Sequence, residues 1–174
     1  MGNVIYELHF DWADCFPLII PLLVGLGFFF MFKWYPSQNP GIDQRGSKGY
    51  AGYVAAKWIG WVVGAFAIGL FALSTAVHVV DYHEMREILE HDQAFVVEGI
   101  VENYHAMPLE GHDTEHFEIN GIYFEYTNFE VLNGYNTPAS YGGVVKENGQ
   151  HLKIKYVYDD DGNNIILYIE EIEY

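Results

Sequence analysis

Pro17–Trp34 reads PLIIPLLVGLGFFFMFKW, and Val54–Val80 reads VAAKWIGWVVGAFAIGLFALSTAVHVV. Each run is long enough to cross the roughly 30 Å hydrocarbon core of a bilayer, which takes about 20 helical residues. A chain of 174 residues is too short to encase two such helices on every side, and water would be a costly solvent for them. The runs therefore predict a two-helix transmembrane hairpin. A signal peptide opens on a basic segment and closes on a small-residue cleavage site. Here Glu7, Asp11 and Asp14 precede the first run and no such site follows it. Cys15 precedes the run instead of following it, so the lipoprotein pattern does not fit. Both helices are expected to be retained.

Flanking Lys and Arg residues set the orientation. The connector and its edges hold Lys33, Arg45, Lys48 and Lys57 against Asp43, while acids dominate the outer ends of both runs. The basic connector is thus expected in the cytoplasm, with both termini outside, as in a bacterial inner-membrane protein. Trp34, Tyr35, Tyr53, Trp58 and Trp61 place aromatic rings at the connector-side interface, and Lys57 can snorkel outward along its stem. No Asp or Glu lies within either span, so the usual sign of an ion pathway is missing.

Beyond the second run the chain is strongly acidic. From Asp92 to Tyr174 sixteen Asp or Glu stand against three Lys, which carries −13 of the net −16. Such a surface repels nucleic acid and anionic headgroups and favours basic partners or cations, and its simplest use is as a solubilising face. The single Cys excludes an intrachain disulfide.

The pattern divides the chain into an acidic N-terminal segment (1–16), a helical hairpin (17–93) and a β domain (94–174). Within the hairpin, the Pro- and Gly-rich residues 36–53 read as a connector and residues 81–93 as a helical extension. Met85, Ile88 and Leu89 recur at i, i+3 and i+4, a stripe that should rest on the domain that follows. In the β half, Ala94–Tyr104 is a strand with a bend expected at Gly99. Asn120-Gly121 joins strands 116–120 and 122–127 as a hairpin. His151–Tyr158 alternates, with Leu152, Ile154, Tyr156 and Tyr158 on one face, and Ile165–Ile172 closes the domain after an Asp- and Asn-rich turn. The fold class expected is an α+β membrane protein: a transmembrane hairpin followed by a small, mainly antiparallel, five-stranded β-barrel, whose closure would remove exposed edges.

Three stretches carry a resemblance. They are Glu98-Gly99-Ile100-Val101, Phe117-Glu118-Ile119-Asn120-Gly121-Ile122-Tyr123-Phe124, and Gly149-Gln150-His151-Leu152-Lys153-Ile154-Lys155-Tyr156. This layout, over roughly the last half of the chain, resembles uncharacterised bacterial two-helix membrane proteins with one SH3-like or OB-like β-barrel. It is more distantly similar to the OB-fold partners of stomatin-like scaffolds. The resemblance implies anchoring and a small barrel, and brings no agreed activity.

Candidate sites are few. Ala56, Gly60, Gly64 and Gly69 form a small-residue stripe for helix packing, either on the first helix or on another copy or protein. His83, Glu87 and His91, at i, i+4 and i+8, are the weak metal candidates. His105, His112 and His116 among acids could titrate near neutral pH, but with Pro108 and Gly111 beside them a plain surface loop fits better. Asp159, Asp161 and Asn163 resemble part of a calcium loop but fit a hairpin tip. The long segment Asn128–Asn148 concentrates Gly, Tyr and Asn, so Tyr135, Asn136, Ser140 and Tyr141 are the partner-binding candidates. No catalytic residue and no cofactor is assigned; Ser140 lacks a nucleophile elbow. The expected function is a non-enzymatic, membrane-anchored binding or assembly module, an accessory or immunity-type subunit. Its partners are the bilayer and another membrane or extracytoplasmic protein, a basic one in particular, with self-association a further use of the stripe. The alternative is a metal-dependent hydrolase using the His and acidic clusters.

Overall fold

The computed structural model describes residues 2–10, 16–109, 113–129 and 133–173. In chain order these form β1 (Asn3–Glu7), α1 (Phe16–Gln38), α2 (Tyr50–Glu90), β2 (Phe95–His105), β3 (Glu115–Ile119), β4 (Ile122–Tyr126), β5 (His151–Tyr158) and β6 (Asn164–Glu171). The chain divides into two compact units, Trp12–Val79 and the pair of segments Met1–Asp11 and Val80–Tyr174. The second contains all the described strands and the last turns of α2.

In the helical unit the two backbones approach closely at Gly25 and Gly64. A Cβ on Gly25 would lie 3.1 Å from the Gly64 carbonyl oxygen, and one on Gly64 would lie 3.5 Å from the Gly25 carbonyl oxygen. The Phe32 ring occupies the space over Gly60. Phe29 meets Trp61 edge-on at 5.6 Å, and Tyr35 stacks on Tyr53 at 6.1 Å. Contacts that descend on α2 as they ascend on α1 make the pair antiparallel. The outward rows stay apolar and uncovered: Trp58 is 69% exposed and Phe66 67%. Both helices are long and apolar enough to span a membrane.

The β unit is an open antiparallel sheet in the order β1-β6-β5-β2-β3-β4. This corrects the five-stranded barrel. The extra strand is β1, from the acidic N-terminal segment, and it takes the free edge of β6 with Asn3 opposite Glu171 and Glu7 opposite Tyr168. Further along the same edge, Leu8 N–H donates to the Leu167 carbonyl and Tyr135 N–H to that of Ile166, both at 2.8 Å. With that edge occupied, β4 reaches β6 through a side chain, Asn164 Nδ2 donating to the Tyr123 carbonyl at 2.7 Å. The two edge strands do not pair, so the sheet stays open.

Two layers of apolar side chains hold the unit. Phe117, Ile119, Phe124, Leu152, Ile154 and Ile169 are inaccessible to solvent in the main core. Each is worth roughly 1.5–3 kcal/mol of burial. On the other face Leu8, Val157, Ile165 and Leu167 meet Leu89 of α2, flanked by Met85 and Ile88. A bulge between Lys155 and Tyr156 shifts the side-chain parity of β5 against β6. Ordinary strand alternation sends Tyr156 and Val157 to opposite cores. The extra residue lies on β6, where Leu167 and Tyr168 both serve the second core between Ile166 and Ile169 of the first. Tyr158, at the strand end, is 53% exposed against Phe95 rather than buried with Tyr156.

Local signals act where the backbone needs them. Asn120 and Gly121 carry φ of 52° and 79°, the paired positive angles of a two-residue hairpin turn. Gly99 does not bend its strand, since it pairs regularly with Leu152. Its missing Cβ instead admits the Asn120 side chain, which donates to the Glu98 carbonyl at 2.8 Å. The irregularity of β2 falls later, between Glu102 and His105, where Asn103 has φ 52°.

Candidate functional site

The segment between β4 and β5 is organised by one buried acid. Glu115 opens β3, and the alternation that turns Phe117 and Ile119 inward turns Glu115 inward as well, where it is completely buried. Tyr126 lies directly across on β4. Its O–H donates to Glu115 Oε1 at 2.6 Å, and the Ala139 N–H donates to Oε2 at 2.9 Å. The Met107 N–H approaches Oε2 at 3.5 Å. One carboxyl thus joins β4, the loop before β3 and the long segment after β4. A charge in such a place is tolerable only when hydrogen bonds replace its hydration.

Tyrosines complete the cluster. Tyr135 packs edge-to-face on both Tyr126 and Tyr6, each at 4.9 Å. Its hydroxyl oxygen accepts the Val144 N–H at 2.6 Å. Burial, followed by Tyr135 and Glu115 nearby, pushes the Tyr126 phenol far above its ordinary value. Burial and Glu115 raise Tyr104 likewise. Burial pushes Tyr135 up to about 12, against hydrogen bonds from the Val144 and Val145 backbone. All three phenols therefore keep their protons to higher pH than an ordinary tyrosine.

The long segment is tightly built. A single 3-10 turn, Ala139–Tyr141, is closed by Gly142 at φ 95°. Tyr141 and Gly143 N–H both donate to the Pro138 carbonyl. No side chain fits at Gly143, where a Cβ would overlap the Thr137 carbonyl oxygen. Val145 plugs the core, and Gln150 bonds the backbone of Lys146 and Val144.

The expected binding residues separate on this frame. Tyr135, named among the partner-binding candidates, is a core residue at 5% exposure, because its ring fills the gap between Tyr126 and Tyr6. Asn136 and Ser140 are half-buried, and Ser140 Oγ has no hydrogen-bond partner among the described residues. Tyr141 is 45% exposed. The helix stripe separates too: Gly60 and Gly64 are buried in the hairpin, whereas Ala56 is exposed and, among the described residues beyond its own turn of helix, none lies within 4 Å of a Cβ on Gly69.

The metal candidates do not assemble. His83, Glu87 and His91 are all exposed, and among the described residues no three His, Cys, Asp or Glu are placed to hold an ion. Neighbouring Arg86 pairs with Glu7 at 3.0 Å and Glu90 at 2.7 Å. His105 and His116 stack at 4.7 Å, and His105 Nε2 bonds Asp113 at 3.1 Å. That bond, then the Thr114 N–H, holds the Asp113 carboxyl below its usual range. His112 lies outside the described residues. The Asp159 turn satisfies itself: Oδ1 accepts Asp161 and Asn163 N–H, and Oδ2 accepts Asn163 Nδ2. Burial alone would raise Asp159, and these bonds outweigh it and hold the carboxyl low.

No motif marks Glu115 as a core residue or Tyr126 as its partner, but strand parity carries a signal. Glu115, Phe117 and Ile119 share one strand face, so an inward Glu followed from the same parity that placed the two apolar residues. No protein-family model, no curated protein and no solved structure matches the chain.

Proposed function

We propose that the chain is a non-enzymatic, membrane-anchored binding or assembly module. In this reading α1 and α2 form a hairpin in a bacterial inner membrane, with the basic connector in the cytoplasm. The acidic β unit and both termini work outside, where the module serves as an accessory or immunity-type subunit. The observation that carries the reading is the Glu115 latch. Its acceptors are spent on Tyr126 and Ala139, which fixes the long segment while Tyr141 faces outward. A loop fixed in advance loses little entropy on docking, and an exposed Tyr offers a large ring and a hydroxyl. The −16 net charge favours a basic partner.

Tyr141→Ala tests this directly, because the ring is half outside the core. Partners that co-purify with the wild-type chain from membranes should be lost, with the melting transition of the β unit unchanged. Retention of every partner would refute the binding role. A collapsed melt would make Tyr141 a packing residue instead.

A further inference from the structure

We infer that a groove in the helical unit seats one phospholipid whose headgroup carries both a phosphate and a primary ammonium, the phosphatidylethanolamine class. This rests on the reading that α1 and α2 cross a bilayer. The groove encloses about 870 Å³ and runs along one face of α2, past Tyr50, Lys57, Trp58, Trp61 and Ala65, with Asp43 of the connector at its polar end. From Lys57 to Ala65 is eight residues, about 12 Å of helix. That is most of one leaflet of a hydrocarbon core roughly 30 Å thick.

The lining changes character along this length. Its deep end is apolar and open, with Trp61 51% and Val62 66% exposed, which suits an acyl chain. Trp58 and Tyr50 lie where amphipathic rings meet headgroups. At the connector end the groove offers one base, Lys57, and one acid, Asp43. A phosphate diester complements Lys57, and a primary ammonium donates to the Asp43 carboxylate. A choline headgroup has no N–H for that carboxylate. A glycerol headgroup has no cation for it and leaves a net negative charge beside it. A base and an acid lining the same groove thus select a zwitterion with donors.

The test uses the purified full-length chain in nanodiscs of equal phosphatidylethanolamine, phosphatidylglycerol and phosphatidylcholine with identical acyl chains. Lipid retained after transfer to mild detergent is counted by native mass spectrometry. One retained phosphatidylethanolamine is expected, favoured roughly tenfold over each of the others, the worth of one hydrogen bond to a charged group. Asp43→Asn should abolish that preference, and Lys57→Gln should lower retention of all three lipids. Equal retention, preference for phosphatidylglycerol or phosphatidylcholine, or indifference to both substitutions would overturn the inference. So would a lipid-free dimer, in which a second copy fills the groove. Resistance of the membrane-bound protein to alkaline carbonate is measured in parallel. Extraction by carbonate would sink the membrane reading itself, whereas resistance without lipid selectivity would sink only the lipid site.

Discussion

Glu115→Ala removes the acceptor on which three segments of the β unit converge. Two donors sit at short range, the Tyr126 O–H at 2.6 Å and the Ala139 N–H at 2.9 Å. Each, left dry, costs about 1–3 kcal/mol. The lost side chain also leaves a void beside Tyr126 and Met107. Against this stands the relief of no longer burying a polar carboxyl group, about 1–3 kcal/mol. The net expectation is a loss of about 3 kcal/mol, which lowers the melting temperature of a unit of this size by roughly 15 °C. Glu115→Gln sharpens the case. Its oxygen can still accept from Ala139, and its NH₂ can donate to the Tyr126 hydroxyl oxygen once that rotor turns. The expected loss is about 1 kcal/mol. Urea unfolding followed by tyrosine circular dichroism gives both values. Hydrogen exchange at the Ala139 amide should accelerate strongly in the Ala variant and weakly in the Gln variant. An Ala variant within about 0.5 kcal/mol of wild type, with Ala139 still protected, would refute the latch.

Three other outcomes follow from the same geometry. Tyr135 titrates at about 12 when folded, and Tyr104 and Tyr126 higher still, against an ordinary value near 10. Their contribution to stability is therefore complete below pH 10 and lost as pH rises towards 12, since the unfolded chain releases its protons first. Tyrosinate absorbance should show a fraction of the rings ionising only together with unfolding; complete ionisation near pH 10 in a folded protein would contradict this. Gly64→Leu should lower helical-unit stability in detergent by about 1–3 kcal/mol, because its side chain would meet the Gly25 backbone, while Gly69→Leu should be nearly neutral. Gly143→Ala should destabilise the long segment by 1–3 kcal/mol, as its methyl overlaps the Thr137 carbonyl.

Local features were the legible part of this sequence. The helical runs, the Asn120-Gly121 turn and the stripe Met85, Ile88, Leu89 each follow from a period or a backbone demand, and each of these has its place in the structure. Pairing across the chain was not legible. NVIYE is five residues with no turn signal beside it, and only the free edge of β6 makes it a strand. Five strands then suggested closure, but edge occupation by β1 and by Tyr135 leaves the sheet open. Tyr135 and Tyr141 look alike in sequence, both beside Gly in a polar segment. Their fates differ because Tyr126 and Tyr6 create a slot for one ring, whereas the other stays 45% exposed.

The central claim is that the helical hairpin holds the β unit outside the membrane. The most direct measurement labels single cysteines with a membrane-impermeant thiol reagent on intact cells, in a Cys15→Ser background. One cysteine replaces exposed Gln44 in the connector, the other exposed Glu147 in the β unit. The account predicts that position 147 reacts in intact cells and position 44 only after permeabilisation. Labelling of position 44 with protection of position 147, or protection of both until lysis, would contradict it.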